Sequence, residues 1–476
     1  MSESFPFDGK QTLTSQNSIH RRSRTPSRWI VLILLISTAP FGCSKKVDES
    51  ESTGMPTLSI VSPHHEGIKQ EYEAAFKQWH QDKFNTPVNI AWKDLGGTGQ
   101  IIQYIRNGFE AAKKRDALDE GIGVDLFFGG GAPAVDQLKS EMMIVPVDLP
   151  DDLMAQIPAE LAGIRLYDPE HHWYGNVLAA FGIIYNVKAH KKLDIPIPAT
   201  WRDLANPKYF GWLAMADPKS GSAMVCYELV LQRNGWQNGW PILLSMFANA
   251  KLIPATSNVV PQEVMTGNAL AGVCIDFYGW DAMARAGKDA VRYVSPIGAT
   301  AVTPDPIAML RGAPHPQIAK RFIEFTLSEP GQALLCLPVG HELGPKTHEI
   351  RRLPIRPDIY KKYDDLLTVT DRPFTGQSTF KFDQQTESRR HSLLRDLIQS
   401  AAVDQKPLMA DAWKAIIDAG QPADRIAIWN ELPFSEREGL DLADTFSAGS
   451  AQDQAEVRKQ WRAFFQNKYN RILGKK

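Results

Sequence analysis

Between Thr57 and Ser140 the chain runs three times through one pattern: a short apolar run, a turn rich in glycine or histidine, then residues at helical spacing. Thr57–Val61 alternates like a strand, Ser62–Glu66 turns, and Ile68–Trp79 has an amphipathic helical period. Pro87–Trp92, Gly96–Gly99 and Ile101–Lys114 repeat the pattern, as do Val124–Phe128, Gly129–Ala132 and Pro133 to about Ser140. Strands alternating with helices predict a parallel sheet with right-handed crossovers, hence an α/β fold. In such sheets ligands sit beyond the carboxyl ends of the strands, so the three turns should share one rim.

The rhythm then changes. Leu178–Tyr185 is a further strand, and Thr200-Trp201-Arg202-Asp203 reads as a capped helix start. Trp212–Ala216 is a strand, and Asp217–Ser222 opens another helix. Trp236–Ala248 and Val260–Thr266 read as helices, Ala271–Ile275 as a buried strand. Val291–Ser295 and Ile307–Leu310 read as strands, Gln317–Leu327 as a helix, and from about Phe380 the chain is helical.

Ahead of this body, Arg21, Arg22, Arg24 and Arg28 precede an apolar run from Trp29 to Gly42 that stops at Cys43. A basic stretch, a short apolar core and a small residue form a secretory signal over residues 1–42. Gly42-Cys43 predicts a lipoprotein site, with ordinary cleavage or an uncleaved anchor as the alternatives. The polar stretch Lys45–Pro56 follows as a tether, giving 43–56 with the cysteine. The protein is therefore expected in the periplasm or on the outer face of the inner membrane, attached there if Cys43 is lipidated. A net charge of −1 leaves no nucleic-acid footprint. Cys226, Cys274 and Cys336 lie in apolar or small-residue contexts and are expected as buried thiols.

On the rim, Gly97, Thr98, Gly130 and Gly131 would let backbone N–H groups approach a ligand, and the following helix starts favour negative or polar groups. Ser220 and Ser222 would face them from the other side. Each glycine loop has a plainer reading as a tight turn. His64 and His65 invite a metal reading, yet adjacent histidines rarely hold one ion, and no HExxH or CxxC partner exists. Trp173, Tyr174, Trp236, Trp240 and Trp280 are either a stacking wall for a solute or packing residues. The sequence has no GxSxG elbow and no recognised metal spacing, so an enzyme is not expected.

Six segments then follow in fixed order: GVDLFFGGGAPAVDQL (123–138), FGIIYN (181–186), PATWRDLANPKYFGWLAMADPKSGSA (198–223), NGWQNGWPILLSMFANAKLIP (234–254), GNALAGVCIDFYGWDAMARAG (267–287) and PDPIAMLRGAPHPQIAKRFIEF (304–325). Together, from about Thr57 to Pro345, they resemble the extracellular solute-binding proteins of ABC importers, in particular those related to ferric-ion-binding periplasmic proteins. The resemblance implies a two-lobed, type II-like periplasmic-binding-protein fold with a C-terminal helical extension. Lobe 1 would begin at 57–180, lobe 2 span 181–295, the chain return to lobe 1 over 296–345, and the extension fill 346–476.

The implied function is capture of a small ligand by hinge closure and delivery to an ABC permease in the inner membrane, by a monomer. No resident cofactor is implied; the ligand would be a ferric ion with a co-bound anion or a small polar organic solute. In ferric-binding relatives two adjacent tyrosines at the matching place supply phenolate oxygens. Here Tyr278 stands with Phe277 beside it and Asp276 before, so Asp276, Tyr278 and His64 are the residues for a hard cation. The alternatives are an envelope sensor of the same fold and, behind it, a metal-dependent hydrolase using His64, His65 and Asp276.

Overall fold

The computed structural model describes residues 55–375 and 380–475. The signal-like run, Cys43 and the tether as far as residue 54 lie outside the described residues. The three opening units form as β1 (Thr57–Val61), α1 (Glu66–Phe84), β2 (Asn89–Lys93), α2 (Thr98–Lys114), β3 (Leu126–Phe128) and α3 (Ala132–Ser140). β1 pairs in parallel with both β2 and β3, so all three following turns stand at one edge. β4 (Ile144–Val145), the short α4 (Asp151–Met154) and a small hairpin of β5 (Glu160–Leu161) and β6 (Ile164–Arg165) lead to β7 (Tyr174–Asn186).

Every residue of this 13-residue strand is buried. Beyond β7 come α5 (Val187–Leu193), β8 (Leu213–Ala214), α6 (Gly221–Asn234), α7 (Trp236–Asn249), β9 (Ala250–Leu252), α8 (Val259–Met265), β10 (Ala271–Ile275), α9 (Asp276–Ala286), β11 (Val291–Val294) and β12 (Val302–Leu310). The chain continues through α10 (Pro316–Leu327), α11 (Glu329–Ala333), β13 (Leu353–Pro354) and α12 (Pro357–Lys362). The principal strand order is β2-β1-β3-β12-β7-β10-β8-β9, with β11 and β13 also on β7 and β4 on β12.

β7 is the spine that joins two half-sheets. Val177–Ala180 pair with β12 on the first side, and Phe181–Tyr185 pair with β10 on the second. The switch therefore falls at Ala180–Phe181. Thr300 clasps it: its Oγ1 donates to Phe181 O at 2.7 Å and accepts from Phe181 N at 3.2 Å.

The first half-sheet is sealed by an aromatic layer. Ile68, Tyr72 and Phe76 recur every four residues on α1 and are all buried. Tyr72 and Phe76 meet Phe322 of α10 with ring centroids 6.4 and 4.9 Å apart. Burying each such side chain contributes roughly 1.5–3 kcal/mol. Trp173, Tyr174, Trp236, Trp240 and Trp280 are at most 8% exposed and serve as packing residues, so they form no open stacking wall. The three cysteines are buried and unpaired.

The C-terminal helices are α13 (Gln384–Ile398), continued through a wide turn at Gln399–Val403, then α14 (Lys406–Asp418), α15 (Ala423–Trp429), α16 (Glu436–Ala448) and α17 (Ala451–Ile472). Capping boxes at Ser435/Glu438 and Ser450/Asp453 start α16 and α17 by satisfying N–H groups that a helix leaves free. Three indoles peg this bundle to α7 and its flank. Trp236 Nε1 donates to Phe434 O at 3.2 Å, Trp413 Nε1 to Asn249 Oδ1 at 2.9 Å, and Trp429 Nε1 to Ser245 Oγ at 3.1 Å. Arg390 of α13 reaches Glu228 of α6 at 2.6 Å inside the packing, and the exposed Glu436 at 2.7 Å. On its other flank α13 borders α3, across a cavity of about 500 Å³ lined by Asp136, Arg165, Gln384, Gln385 and Ser388.

Candidate functional site

The turns after β1, β2 and β3 share an edge, and what they can approach depends on their glycines. Gly129, Gly130 and Gly131 have φ of 104°, 94° and 82°, conformations that side chains resist. A methyl group on Gly129 would lie 2.9 Å from His64 Cε1, and one on Gly130 2.5 Å from Phe127 Cζ. The turn is thus held tightly against the β1 loop and the core.

The second half-sheet presents the start of α6 to this edge. A methyl group on Gly221 would lie 3.4 Å from Thr98 Oγ1 and 3.7 Å from Gly130 O. The N-terminal ends of α2, with 17 residues, and α6, with 14, therefore stand at opposite walls of one seam. Both ends carry unpaired N–H groups and the positive end of a helix dipole, which suits an anionic group. Hydroxyls crowd the α6 side. Ser257 Oγ bonds Ser222 Oγ at 2.7 Å and also Ser220 Oγ, which accepts from Ser257 N at 3.2 Å. Hydroxyls both donate and accept, so this cluster can turn its protons toward an anion.

Next to the Gly129–Gly131 turn sits a buried charged network. Asp305 Oδ2 accepts from His64 Nε2 and from Arg352 Nη2, each at 3.1 Å, and Asp305 Oδ1 accepts from Gly131 N at 3.3 Å. Burial alone would raise the Asp305 carboxyl, but the His64 hydrogen bond and the Arg352 charge hold it well below the usual carboxylate range. Burial lowers the His64 imidazole, against the pull of Asp305. A neutral ring that donates from Nε2 must accept at Nδ1, and Ser62 Oγ stands there at 2.9 Å. Arg352, 2% exposed, stacks 4.2 Å over the Phe277 ring of α9.

Asp276 opens α9 and is fully buried. Its Oδ2 accepts from Ala180 N and its Oδ1 from Phe277 N, both at 2.7 Å. Burial pushes its carboxyl up to about 7, against the Arg352 charge and these two N–H groups. Burial likewise pushes the Tyr278 phenol up to about 12. The His65 ring lies 6.4 Å from Phe277 and 6.3 Å from Tyr278. Burial of the ring, with His64 beside it, pushes its imidazole down to about 4, although the residue as a whole keeps solvent access.

The structure places the expected residues in three groups. Thr98 and Gly130 face Gly221, which stands between Ser220 and Ser222, and Gly97 caps the same helix as Thr98. His64 joins Gly131 through Asp305, and His65 meets Tyr278 beside Asp276. Both ring nitrogens of His64 and both oxygens of Asp276 are engaged within the fold. Asp305, Arg352 and Ser257 were not foreseen. Their only sequence signal is polarity inside apolar surroundings, and their partners are distant: 241 residues separate His64 from Asp305 and 47 separate Asp305 from Arg352.

Among the described residues, one cluster of His, Cys, Asp and Glu has metal-like spacing: Asp168, Glu170 and His172. Lys139 Nζ already sits 2.8 Å from Asp168 and 3.2 Å from Glu170, so an ammonium takes the cation's place. No helix among the described residues is long and apolar enough to cross a membrane.

Residues 122–339 match the family of bacterial extracellular solute-binding proteins. The phosphoglycerate transport regulatory protein PgtC of Salmonella typhimurium is 26% identical over 292 residues, which are 61% of this chain and 66% of PgtC, just under two thirds of its length. In fold, the chain is similar to the periplasmic binding protein AfuA from Actinobacillus pleuropneumoniae, solved with fructose-6-phosphate, with a TM-score of 0.57 at 17% identity over 76% of this chain and 98% of that one. Apo ferric ion-binding protein A from Pasteurella haemolytica gives 0.53 at 15% identity, over 72% of this chain and 96% of its own. Both solved neighbours are binding proteins. The match over residues 122–339, just under half of the chain, makes that segment similar to the bacterial extracellular solute-binding proteins, and the fold around it is that of periplasmic binding proteins.

Proposed function

We infer that the chain is the solute-binding component of an ABC importer and that its solute is a small organic anion. The observation that carries this reading is the opposition of the α2 and α6 starts, with Thr98 and Gly130 against Gly221 and the serine cluster behind. An anionic group there would take N–H and hydroxyl donors from both sides at once. A ligand that bridges the two halves binds the closed state more tightly and shifts the population toward it. On this reading the lobes follow 57–180, 181–295 and 296–345, with the hinge at Ala180–Phe181 and at the return strand. Solute would pass to a permease in the inner membrane, and Cys43 would hold the protein there by a lipid.

A ferric ion fits the seam less well. His64 and Asp276 have their donor atoms engaged, and Phe277 supplies no oxygen beside Tyr278. A relative named for phosphoglycerate transport and a fold neighbour solved with fructose-6-phosphate support a phosphorylated solute instead.

Thermal shift with phosphorylated three- to six-carbon acids and sugars, their unphosphorylated parents, and ferric salt with phosphate tests the reading. Ligand at a hundred times its dissociation constant should stabilise by roughly 2.7 kcal/mol. Stabilisation by phosphorylated solutes but not their parents is expected. A ferric charge-transfer band that vanishes in Tyr278→Phe, with no response to any organic anion, would overturn it. A second reading, an envelope sensor, is favoured by the helical bundle and by the word "regulatory" in the relative's name. Uptake of solute that survives deletion of this chain, with loss of induction instead, would select it.

A further inference from the structure

Arg352 lies beyond the family-matched segment, in the residues that lead into β13. β13 pairs with Leu178 and Val177, so Arg352 is carried by the first half-sheet. Its side chain reaches two different bodies. Toward its own half it bonds Asp305, which in turn holds the Gly131 N–H and His64. Toward the other half it stacks on Phe277, which follows β10. Its Nε is buried without an acceptor, so the guanidinium is held by these two contacts and not by a full set of hydrogen bonds.

We propose that Arg352 is a positioning residue that sets the anion rim and lobe closure together, through Asp305 on one side and Phe277 on the other. A planar guanidinium suits both tasks: its edge donates to a carboxylate while its face lies on an aromatic ring. When the halves separate, Phe277 leaves the cation. Asp305 then keeps a partner whose position is no longer fixed, and the Gly131 turn loosens with it. Closure thus restores the rim geometry that a solute needs. Arg351 adds a looser tie of the same sense, 3.6 Å from Asp281 on α9. The proposal takes from the functional reading only that the seam opens and closes; it does not depend on which solute binds.

The test uses the mature chain without added solute, so its failure is separable from a failure to find the ligand. Spin labels on cysteines introduced at Gln103 and Gln262, exposed positions on α2 and α8, report the distance between halves; Cys226, Cys274 and Cys336 are buried, and Cys43→Ser keeps the fourth cysteine from taking a label. Two variants are compared with the parent. Asp305→Asn with Arg352→Met removes the pair together, which avoids leaving a lone buried charge. Phe277→Leu removes the ring and leaves the ion pair intact. Both are expected to unfold cooperatively near the parent temperature. Both are also expected to raise the open-to-closed ratio about tenfold, the factor that ~1.4 kcal/mol of lost closed-state contact produces. A residue that merely packs would shift melting and leave the distances alone. The proposal falls if either folded variant keeps the parent distance distribution.

Discussion

Replacing Gly130 with alanine should damage the fold before it damages binding, for two reasons that can be measured separately. The residue has φ of 94°, where a Cβ costs about 1–2 kcal/mol. The added methyl would also stand 2.5 Å from Phe127 Cζ and 3.1 Å from Thr98 Cγ2. Phe127 is fully buried among Val61, Ile101 and Ile105, so its ring has little freedom to retreat, and overpacking costs about 1–3 kcal/mol more. The total of roughly 2–5 kcal/mol is a large share of the roughly 5–15 kcal/mol that separates folded from unfolded chains. Urea unfolding followed by tryptophan fluorescence gives the loss. Phe127→Leu in the same chain opens space for the methyl, so the double variant should recover about 1–2 kcal/mol relative to additivity. A Gly130→Ala chain within about 0.5 kcal/mol of the parent, or an additive double variant, would refute the steric argument.

The remaining predictions concern charge and binding. Asp276 titrates near 7 in the folded chain but near about 4 unfolded, so the folded state holds an extra proton between those values. Stability should therefore fall as pH rises from about 4 to 7 and level off above, and Asp276→Asn should flatten that slope in denaturation curves taken across the range. Arg390→Met leaves Glu228 buried without its partner and should cost about 3–5 kcal/mol by thermal unfolding, whereas Glu228→Leu with Arg390→Met should recover most of it. Thr98→Val should weaken binding of the phosphorylated solute that stabilises the parent chain by about tenfold or more in calorimetry, since it removes a donor to a charged group, while leaving the melting temperature nearly unchanged; Ser220→Ala should weaken binding likewise but also lower the melting temperature, because Ser257 N loses its acceptor.

Where a segment is uniformly apolar or strictly alternating, the sequence reads cleanly, and β1 and β10 fall on the residues the pattern marks. β7 is longer than its apolar run because Gly175 and Asn176 interrupt the signal while being buried. Asn176 earns its place through a bond from Nδ2 to Asp305 O at 2.8 Å. β12 reads only from Ile307, because Pro304 and Pro306 look like breakers. In the structure the register against β7 shifts between Asp305 and Pro306, and such an irregularity accommodates prolines in a ladder. The same irregularity lies at Asp305, the centre of the charged network. The glycine turns were legible because their composition exceeds what a turn requires. Arg352 was not, since nothing near it in the chain announces a partner 47 residues away.

The indoles that fasten the C-terminal helices to α7 make the bundle a rider on the second half-sheet. Any rotation at Ala180–Phe181 must swing the whole rider, including α17, a rod of 22 residues and so about 33 Å long. On the proposed function, a turn of the second half-sheet would be lengthened along α17 and would carry α13 across α3.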